Sequence, residues 1–454
     1  MLNKTSLILL IFFIGLSIIF ISANWSLYYF SPFFFVVWLI HTINSTNSGL
    51  IIRNIFIIFL SLQYFLGSFL SYEYDNDSIY TMIIPAQEYF YFAIPGVLLI
   101  GLGLFINTSK SDEDFVFNKS NIDYEKLDKN LFTKLFYLSF IFDFLPFKPP
   151  ESLNFIFYSL SSIKYAYVCY HLMTSKKINY VLIFLPIVFL ASRSLGSGMF
   201  HDFLTWAIFW GLSLAIRLKP NMIQKSIAII GFILLAITIQ LAKQNFRAAT
   251  WGTSNNESRV KLFKSTAESE LETLNQNALI ENIVRINQGW ITARTMNYVP
   301  QKIDHAGFDL ISQYTEAALL PRVLAQDKLK AGDTRILSKY SGIYLSINTS
   351  MGLGILSDAW ASFGYFGGLV MLFCFGLLLN YSLKYFEFLI KKFPLVYFLL
   401  PIVYYYPIRP DCETQTSFGH LVKTTFLVSI IAFYFMKKVK TKRVSLLAPQ
   451  IQSA

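Results

Sequence analysis

Arginine side chains stand at the ends of several apolar segments, and this pattern indicates a site for chemistry more clearly than any other. Arg193 follows one apolar run, Arg247 follows another, and Arg322 comes after a third. Arg409 follows a fourth run, in YYPIRPDCETQTSFGH. A guanidinium stays protonated and offers a planar fork of donors, which suits it to phosphate groups. Each arginine could instead reach lipid headgroups or pair with an acid, but several together predict a diphosphate site at a membrane surface.

Few carboxylates lie next to the apolar segments on the side of the membrane where these arginines are predicted to lie. Asp358 lies in LSDAWASFGYFGG at the start of one segment, and Asp411 and Glu413 follow Arg409. A carboxylate at the edge of an apolar layer could accept a proton in catalysis. It could equally be a helix amino-terminal acid that the helix dipole stabilises, so the sequence leaves both roles open for Asp358.

The segment ASRSLGSGMFHD at 191–202 combines a glycine and serine turn with two titratable residues. Its backbone amides could approach an anion closely, although a tight connection between two helices needs the same residues. His201 and Asp202 could form an acid–base pair. Because they are neighbours on a predicted helix, we expect their side chains to point to different faces, which argues against a shared role.

The composition places the chain among polytopic membrane proteins. Of its 454 residues, 54% are hydrophobic and 14% are charged, against roughly 25% charged in a soluble domain. A net charge of +11 is typical of basic loops on the cytoplasmic side, and no basic run interleaved with aromatics indicates nucleic-acid binding. Three cysteines without metal-ligand spacing indicate neither a disulfide framework nor a metal site, and no motif indicates a cofactor.

The apolar segments predict an all-α polytopic membrane protein of about twelve transmembrane helices, each of roughly 17–25 residues. Gly101 and Gly103, inside one of them, predict close packing of two helices. The predicted spans lie near 5–23, 27–43, 50–71, 88–106, 131–147, 152–173, 178–193, 200–217, 223–241, 361–383, 394–408 and 421–437.

The basic residues of the short loops predict the orientation, because such loops stay in the cytoplasm. With twelve spans, the loops around 176, 219 and 391 and both termini fall on the cytoplasmic side. The organisation is then an amino-terminal transmembrane bundle at 1–241, a large outer helical loop at 242–350, carboxy-terminal transmembrane helices at 351–440 and a cytoplasmic tail at 441–454. Within the loop, 281–298 predicts an amphipathic helix with Trp290 in its apolar stripe and Arg285 opposite. That helix either lies on the membrane surface or packs against its neighbours.

Four local segments resemble motifs of the oligosaccharide repeat-unit polymerase family, which includes the O-antigen and enterobacterial common antigen polymerases of bacterial inner membranes. The turn ASRS at 191–194 resembles the small-residue, arginine, small-residue turn of that family, and LPRVLAQDK at 320–328 resembles its Pro-Arg … Lys-Pro segment. GILSDAWASFG at 354–364 resembles its acid … Phe-Gly segment, and Arg409 resembles an arginine of its last outer loop. The chain departs from the family where Asp358 replaces an expected glutamate and Leu329 an expected proline.

This resemblance implies a membrane glycosyltransferase with a GT-C-like cavity that opens outward. Its substrates would be oligosaccharides linked to polyprenyl diphosphate, and it would move a growing glycan from one lipid carrier onto the next repeat unit, without metal or cofactor. Partners would be the bilayer, a chain-length regulator and a flippase. The residue roles implied are Arg322 and Arg193 on the diphosphate, Asp358 as proton acceptor, Arg409, Lys328, Arg285, Arg247 and Trp290 as further substrate contacts, and Trp251, Tyr314 and Tyr340 as platforms for sugars.

Three other functions remain open at this point. A ligase that moves finished glycan to another lipid shares the donor chemistry, and His305 would be its candidate histidine in the outer loop. A transporter or flippase for lipid-linked glycan needs no catalytic acid, but transporters commonly contain internal repeats, and this sequence has no detectable repeat. A scaffold protein for polysaccharide assembly would need none of these residues.

Overall fold

The protein is built from helices, and the computed structural model describes residues 2–74, 80–106, 129–144, 151–251, 258–272, 285–320, 322, 324–330, 332–345, 351–409 and 412–451. No β-strand occurs among those residues, as the all-α prediction requires. The helices, in chain order, are α1 Leu2–Ser22, α2 Phe30–Ser45, α3 Ile52–Tyr74 with a π-helical turn at Ser61–Leu66, α4 Ala86–Phe105, α5 Lys129–Ile141, α6 Glu151–Ser161, α7 Ile163–Thr174, α8 Tyr180–Ser197, α9 His201–Leu218, α10 Met222–Trp251, α11 Arg259–Glu272, α12 Gly289–Tyr298, α13 Asp309–Leu319, α14 Thr334–Ser341, α15 Ile355–Lys392, α16 Val396–Val403 and α17 Thr414–Ile451.

Seven helices in the described part of the chain are long and apolar enough to cross a membrane: α1, α3, α4, α8, α10, α15 and α17. The sequence predicted about twelve spans, and two of those that are not among the seven coincide with breaks in the helices. The predicted span at 152–173 is two helices, α6 and α7, that meet at Ser162. The span predicted at 394–408 contains only the eight-residue α16, which rises about 12 Å against a hydrocarbon core of about 30 Å.

Helix α4 packs closely through both predicted glycines: Gly103 faces α15, and Gly101 faces Leu10 of α1 and Ile57 of α3. A Cβ atom added to Gly103 would overlap the Phe373 carbonyl oxygen and lie 2.8 Å from the Leu377 nitrogen. A Cβ atom added to Gly376 would overlap the Ile100 carbonyl oxygen. The two backbones therefore approach more closely than any side chain at these positions permits.

One end of the bundle joins loops that the sequence predicts to share the cytoplasmic side. The Arg217 guanidinium donates to the carbonyl oxygens of Leu172 and Ser175, each at 2.8 Å. The Lys225 ammonium donates to the Ile43 carbonyl oxygen at 2.9 Å. These basic side chains satisfy carbonyl groups at helix carboxyl termini: Arg217 joins the end of α9 to the end of α7, and Lys225 joins the start of α10 to the end of α2.

Helix α15 is broken at Gly364, whose φ of 64° and ψ of −150° are not helical. Only glycine adopts this backbone conformation without strain. The carbonyl oxygens of residues 360–362 accept hydrogen bonds from the segment 305–307, from the His305 ring at 3.0 Å and from the next two backbone N–H groups at 2.9 Å each. This segment thereby holds the short first part of α15, which carries Asp358.

Candidate functional site

Three polar clusters lie where the α8–α9 turn, the polar segment 309–330 as far as it is described, and residues 404–409 and 412–416 come together. The buried acid cluster contains Asp358, Tyr314, Thr414 and Glu413. The arginine–aspartate cluster contains Asp143, Lys164, Arg193, His201, Asp202, Tyr405 and Arg409. The basic cluster contains Arg322, Lys328 and Lys423.

Asp358 is the centre of the buried acid cluster and has no exposed surface. The Tyr314 hydroxyl of α13 donates to its Oδ1 at 2.6 Å, and the Thr414 hydroxyl of α17 donates to its Oδ2. Among the described residues, the ion pairs do not include Asp358. Two hydroxyl groups rather than a cation thus satisfy this carboxyl group, and the contacts tie α13, α15 and α17 together.

Glu413 stands next to this centre and is half-buried. Its carboxylate accepts hydrogen bonds from the Gly332 backbone N–H and from the Thr416 hydroxyl. A Cβ atom at Gly352 would overlap the Glu413 side chain, so glycine leaves room for the carboxylate. Burial raises the pKa of Glu413 above the usual glutamate value, and the two hydrogen bonds offset only part of that shift. Glu413 is therefore a stronger base than an exposed glutamate.

Arg193 and Lys164 share one carboxylate in the arginine–aspartate cluster. The Lys164 ammonium, which is fully buried, lies 2.6 Å from Asp143 Oδ2, and Arg193 Nη1 lies 3.7 Å from Asp143 Oδ1. Because Lys164 makes the closer contact, Asp143 does not form an exclusive ion pair with Arg193. The arginine side chain remains 48% exposed and can approach a ligand.

His201 and Asp202 form the other half of this cluster. The imidazole Nε2 lies 2.8 Å from Asp202 Oδ1, so the expectation that these side chains point apart was wrong. His201 is the first residue of α9, where no preceding helical turn restricts its side chain. The Tyr405 hydroxyl donates to the same carboxylate oxygen, and the Arg409 guanidinium lies 5.9 Å from the Tyr405 ring centre.

The structure brings Arg193 and Arg409 to one cluster, as the diphosphate hypothesis requires. Asp202 interacts electrostatically with Arg409, and Tyr165 interacts with both Arg193 and Asp202. Arg322 and Lys328 lie in the separate basic cluster. Burial lowers the pKa of Lys328, and the positive charge of Arg322 lowers it further. These four predicted cations therefore form two groups rather than one.

Arg247 contacts the glycine and serine turn in a way that the sequence did not predict. Its Nε donates to the Gly198 carbonyl oxygen at 2.8 Å, and Arg259 donates to the carbonyl oxygen of Gly196. The turn ends α8, with Gly198 in the left-handed conformation, so it presents carbonyl groups to cations. This is the opposite of the amide-lined anion site that the sequence suggested.

The aromatic candidates of the outer loop are mostly packed inside the protein. Trp290 is 3% exposed and lies edge-on against Tyr80 with ring centres 5.5 Å apart, which corresponds to the packed alternative for its helix. Tyr314 and Tyr340 are also buried. Arg285 is half-buried at the start of its described segment. The side chain of Trp251 and the whole of Asp411 lie outside the described residues.

The Asp143–Lys164 pair and the part played by Lys423 were not predicted from the sequence. A usable signal existed for all three, because each is an ionisable residue inside an apolar segment, and such residues are usually paired or functional. The pairing itself joins residues of two predicted spans, which the sequence alone does not connect.

Among the described residues, no group of three or more histidine, cysteine, aspartate or glutamate side chains could hold a metal ion.

Comparison with known proteins defines a family but no activity. The comparison with curated proteins found no match, and the comparison with solved structures found none either. The model of a domain of unknown function, DUF8712, matches residues 9–403, and the chain therefore belongs to that family.

Proposed function

We propose that this protein is a membrane glycosyltransferase that lengthens a surface polysaccharide. It transfers the growing glycan from its polyprenyl diphosphate carrier to a sugar hydroxyl of the next lipid-linked repeat unit. In this proposal the protein lies in a bacterial inner membrane with its termini and short basic loops in the cytoplasm, about twelve segments cross the bilayer, and a GT-C-like cavity opens on the outer side. The ligase, transporter and scaffold readings are the alternatives that the experiment below addresses.

One observation carries the proposal: Arg193 and Arg409 come from distant parts of the chain and lie in one cluster, in which Arg193 pairs with Asp143, Arg409 interacts with Asp202, and Tyr165 interacts with Arg193 and Asp202. The departing diphosphate develops negative charge, and guanidinium groups already in position stabilise that charge without a metal ion. Because both arginines interact with carboxylates of the same cluster, the arrangement holds them in place while no ligand is bound. The half-exposed Arg193 side chain leaves access for a headgroup.

Glu413 suits the role of proton acceptor better than Asp358. A general base must reach the proton that it removes, whereas Asp358 is fully enclosed and both of its oxygens accept hydroxyl hydrogen bonds. Glu413 is half-buried and its pKa is raised, which brings it closer to the operating pH. We therefore assign proton transfer to Glu413 and a positioning role to Asp358.

The test is deletion of the gene followed by gel analysis of surface glycan, with complementation by variants. We expect the deletion and Arg409→Ala to leave glycan of a single repeat unit, and Lys302→Ala, an exposed outer-loop change, to restore the full ladder. An unaltered ladder in the deletion strain would overturn the polymerase proposal. Loss of all surface glycan, single units included, would indicate the ligase or the flippase instead.

A further inference from the structure

The basic cluster gathers three cations at the carboxyl end of α13. The Lys328 ammonium donates to the carbonyl oxygens of Ala317, at 3.1 Å, and Leu320. A Cβ atom at Gly419 would lie 3.9 Å from both the Ala318 Cα and the Lys423 ammonium, so Lys423 of α17 reaches the same helix end. Lys423 interacts electrostatically with Lys328 and with Arg322.

Three like charges at one place repel each other, and the repulsion is strong where water is scarce. Lys328 also interacts with one carboxylate, Glu316, which compensates for part of the charge. Lys423 lies nine residues after Thr414, about 13 Å along the helix axis, and so well inside the apolar span Thr414–Tyr434. An ionisable residue at such a position usually marks a functional site, and a ligand with several negative charges would relieve the repulsion.

Three leucines beside this cluster are exposed although the segment belongs to the polar outer loop. Leu319 is 60% exposed, Leu320 is 40% exposed and Leu324 is 73% exposed. They flank Arg322 in sequence, and Lys328 is bonded to the Leu320 carbonyl group. Exposed apolar side chains next to cations fit a molecule with a hydrocarbon chain and an anionic head.

We propose that the basic cluster and Leu319, Leu320 and Leu324 form a binding site for the polyprenyl diphosphate carrier, entered from the outer leaflet at the carboxyl end of α13. The diphosphate contacts Arg322, Lys328 and Lys423, and the isoprenoid chain lies over the leucines. This inference rests on the proposed function, since it identifies where that function binds one of its lipid substrates. It assigns to Lys423 and to the leucines a role that the arginine–aspartate cluster does not share.

A diphosphate carrier fits this surface better than an ordinary phospholipid does. A phosphodiester headgroup such as that of phosphatidylglycerol carries one negative charge, whereas a diphosphate offers two phosphate groups to three cations. Arg322 supplies a planar fork, and the two lysines supply compact charges that can bind separate oxygens. The surface is therefore expected to select for charge at the head and for apolar length in the chain.

The experiment uses the full-length protein in nanodiscs of phosphatidylethanolamine and measures the Kd of undecaprenyl diphosphate. Losing one charged hydrogen-bond donor should weaken binding roughly tenfold, so we expect that change in Lys423→Gln and in Arg322→Gln. Lys423→Arg keeps the charge and should retain binding. Lys302→Gln, on an exposed lysine elsewhere in the loop, is the matched control and should bind as the unaltered protein does.

A second arm separates the hydrocarbon contact from the phosphate contact. The double change Leu320→Ser and Leu324→Ser should weaken binding of undecaprenyl diphosphate and leave binding of inorganic diphosphate unchanged. Equal Kd values for all variants, or equal competition by phosphatidylglycerol, would overturn the site. The two proposals can fail separately. If the variants of this site bind the lipid normally while Arg409→Ala alters the ladder, only the lipid site is refuted. If the deletion strain has an unaltered ladder, the proposed function is refuted and the lipid site still stands.

Discussion

Replacing Glu413 by glutamine separates proton transfer from structure at the candidate site. Glutamine keeps an oxygen that can accept the hydrogen bonds now donated by the Gly332 N–H and the Thr416 hydroxyl, so we expect the stability to change by less than about 1 kcal/mol. A glutamine cannot accept the proton of the acceptor hydroxyl. A positioned general base contributes about 10²- to 10⁴-fold to a rate, and elongation should fall by that factor.

Asp358 is the matched comparison, because its removal should act through stability. Asp358→Ala leaves the Tyr314 and Thr414 hydroxyl groups buried without their present acceptor. Each such group costs about 1–3 kcal/mol, so the variant should lose roughly 2–5 kcal/mol and much of its folded yield. Asp358→Asn keeps the shape and one acceptor oxygen, and it should recover most of the stability and a measurable rate of elongation.

The assay combines membrane vesicles supplied with lipid-linked repeat units, a gel of the products over time, and thermal unfolding of purified protein. A wild-type elongation rate in Glu413→Gln would refute the assignment. So would an Asp358→Asn protein that unfolds at the normal temperature and forms no polymer, since that outcome returns the role of base to Asp358.

The raised pKa of Glu413 adds a dependence on pH to the same experiment. The base is charged only above its raised pKa, so elongation should decline as pH falls through that value, which lies above the usual glutamate pKa of about 4.3. The contribution of Glu413 to the free energy of unfolding depends on pH in the opposite direction. Because the folded-state pKa is the higher one, the contribution of Glu413 is fully favourable below about pH 4.3 and is lost as pH rises through the raised value. Glu413→Gln should remove this component from the pH profile of thermal unfolding.

The remaining predictions address the scaffold and the topology. Gly376→Val should destabilise the α4–α15 contact by roughly 1–3 kcal/mol or more, whereas Gly211→Val, where no atom lies within 4 Å of an added Cβ, should leave that contact intact; thermal unfolding compares them. A cysteine in place of the exposed Lys302 should react with an impermeant thiol reagent from outside intact cells, and labelling only after lysis would overturn the orientation. His305→Ala should lower thermal stability because it removes a hydrogen bond at the break in α15, and His305→Gln, which keeps a donor, should restore it; equal unfolding temperatures would show that the ring does not hold the break.

The sequence predicted the class of the protein and the close packing of α4 against another helix, because both depend on local patterns. Apolar length and low charge identify a membrane protein wherever the helices pack. Gly101 and Gly103 predicted a close approach, and the structure supplies the partner glycine, Gly376, about 270 residues later. The number of spans was less predictable, since the break at Ser162 does not change the mean hydropathy of its segment.

The candidate site could be predicted only as a set of residue types. Tyr314 and Thr414 both bond to Asp358, but they are 100 positions apart and no local pattern connects them. Burial of Asp358 follows from the packing of α13 and α17 against the first part of α15, and the helix break at Gly364 that permits this packing depends on hydrogen bonds from residues 305–307. The sequence showed an acid at the edge of an apolar segment, and the tertiary contacts decided that it is enclosed.

The division of the cations into two groups has a physical cause on α17. His420 and Lys423 are three residues apart, so they lie on neighbouring parts of one helix face, yet each meets a different environment. The His420 ring packs between Tyr406 at 4.8 Å and Phe155 at 5.6 Å, and the Lys423 ammonium lies 5.9 Å from the Phe155 ring centre on its way to α13. An aromatic row therefore stands between Arg409, which lies over Tyr406, and the basic cluster. Because a phosphate group needs hydrogen-bond donors and the faces of these rings offer none, a single phosphate group is poorly held across them, and the two sets of cations are suited to hold separate anionic groups.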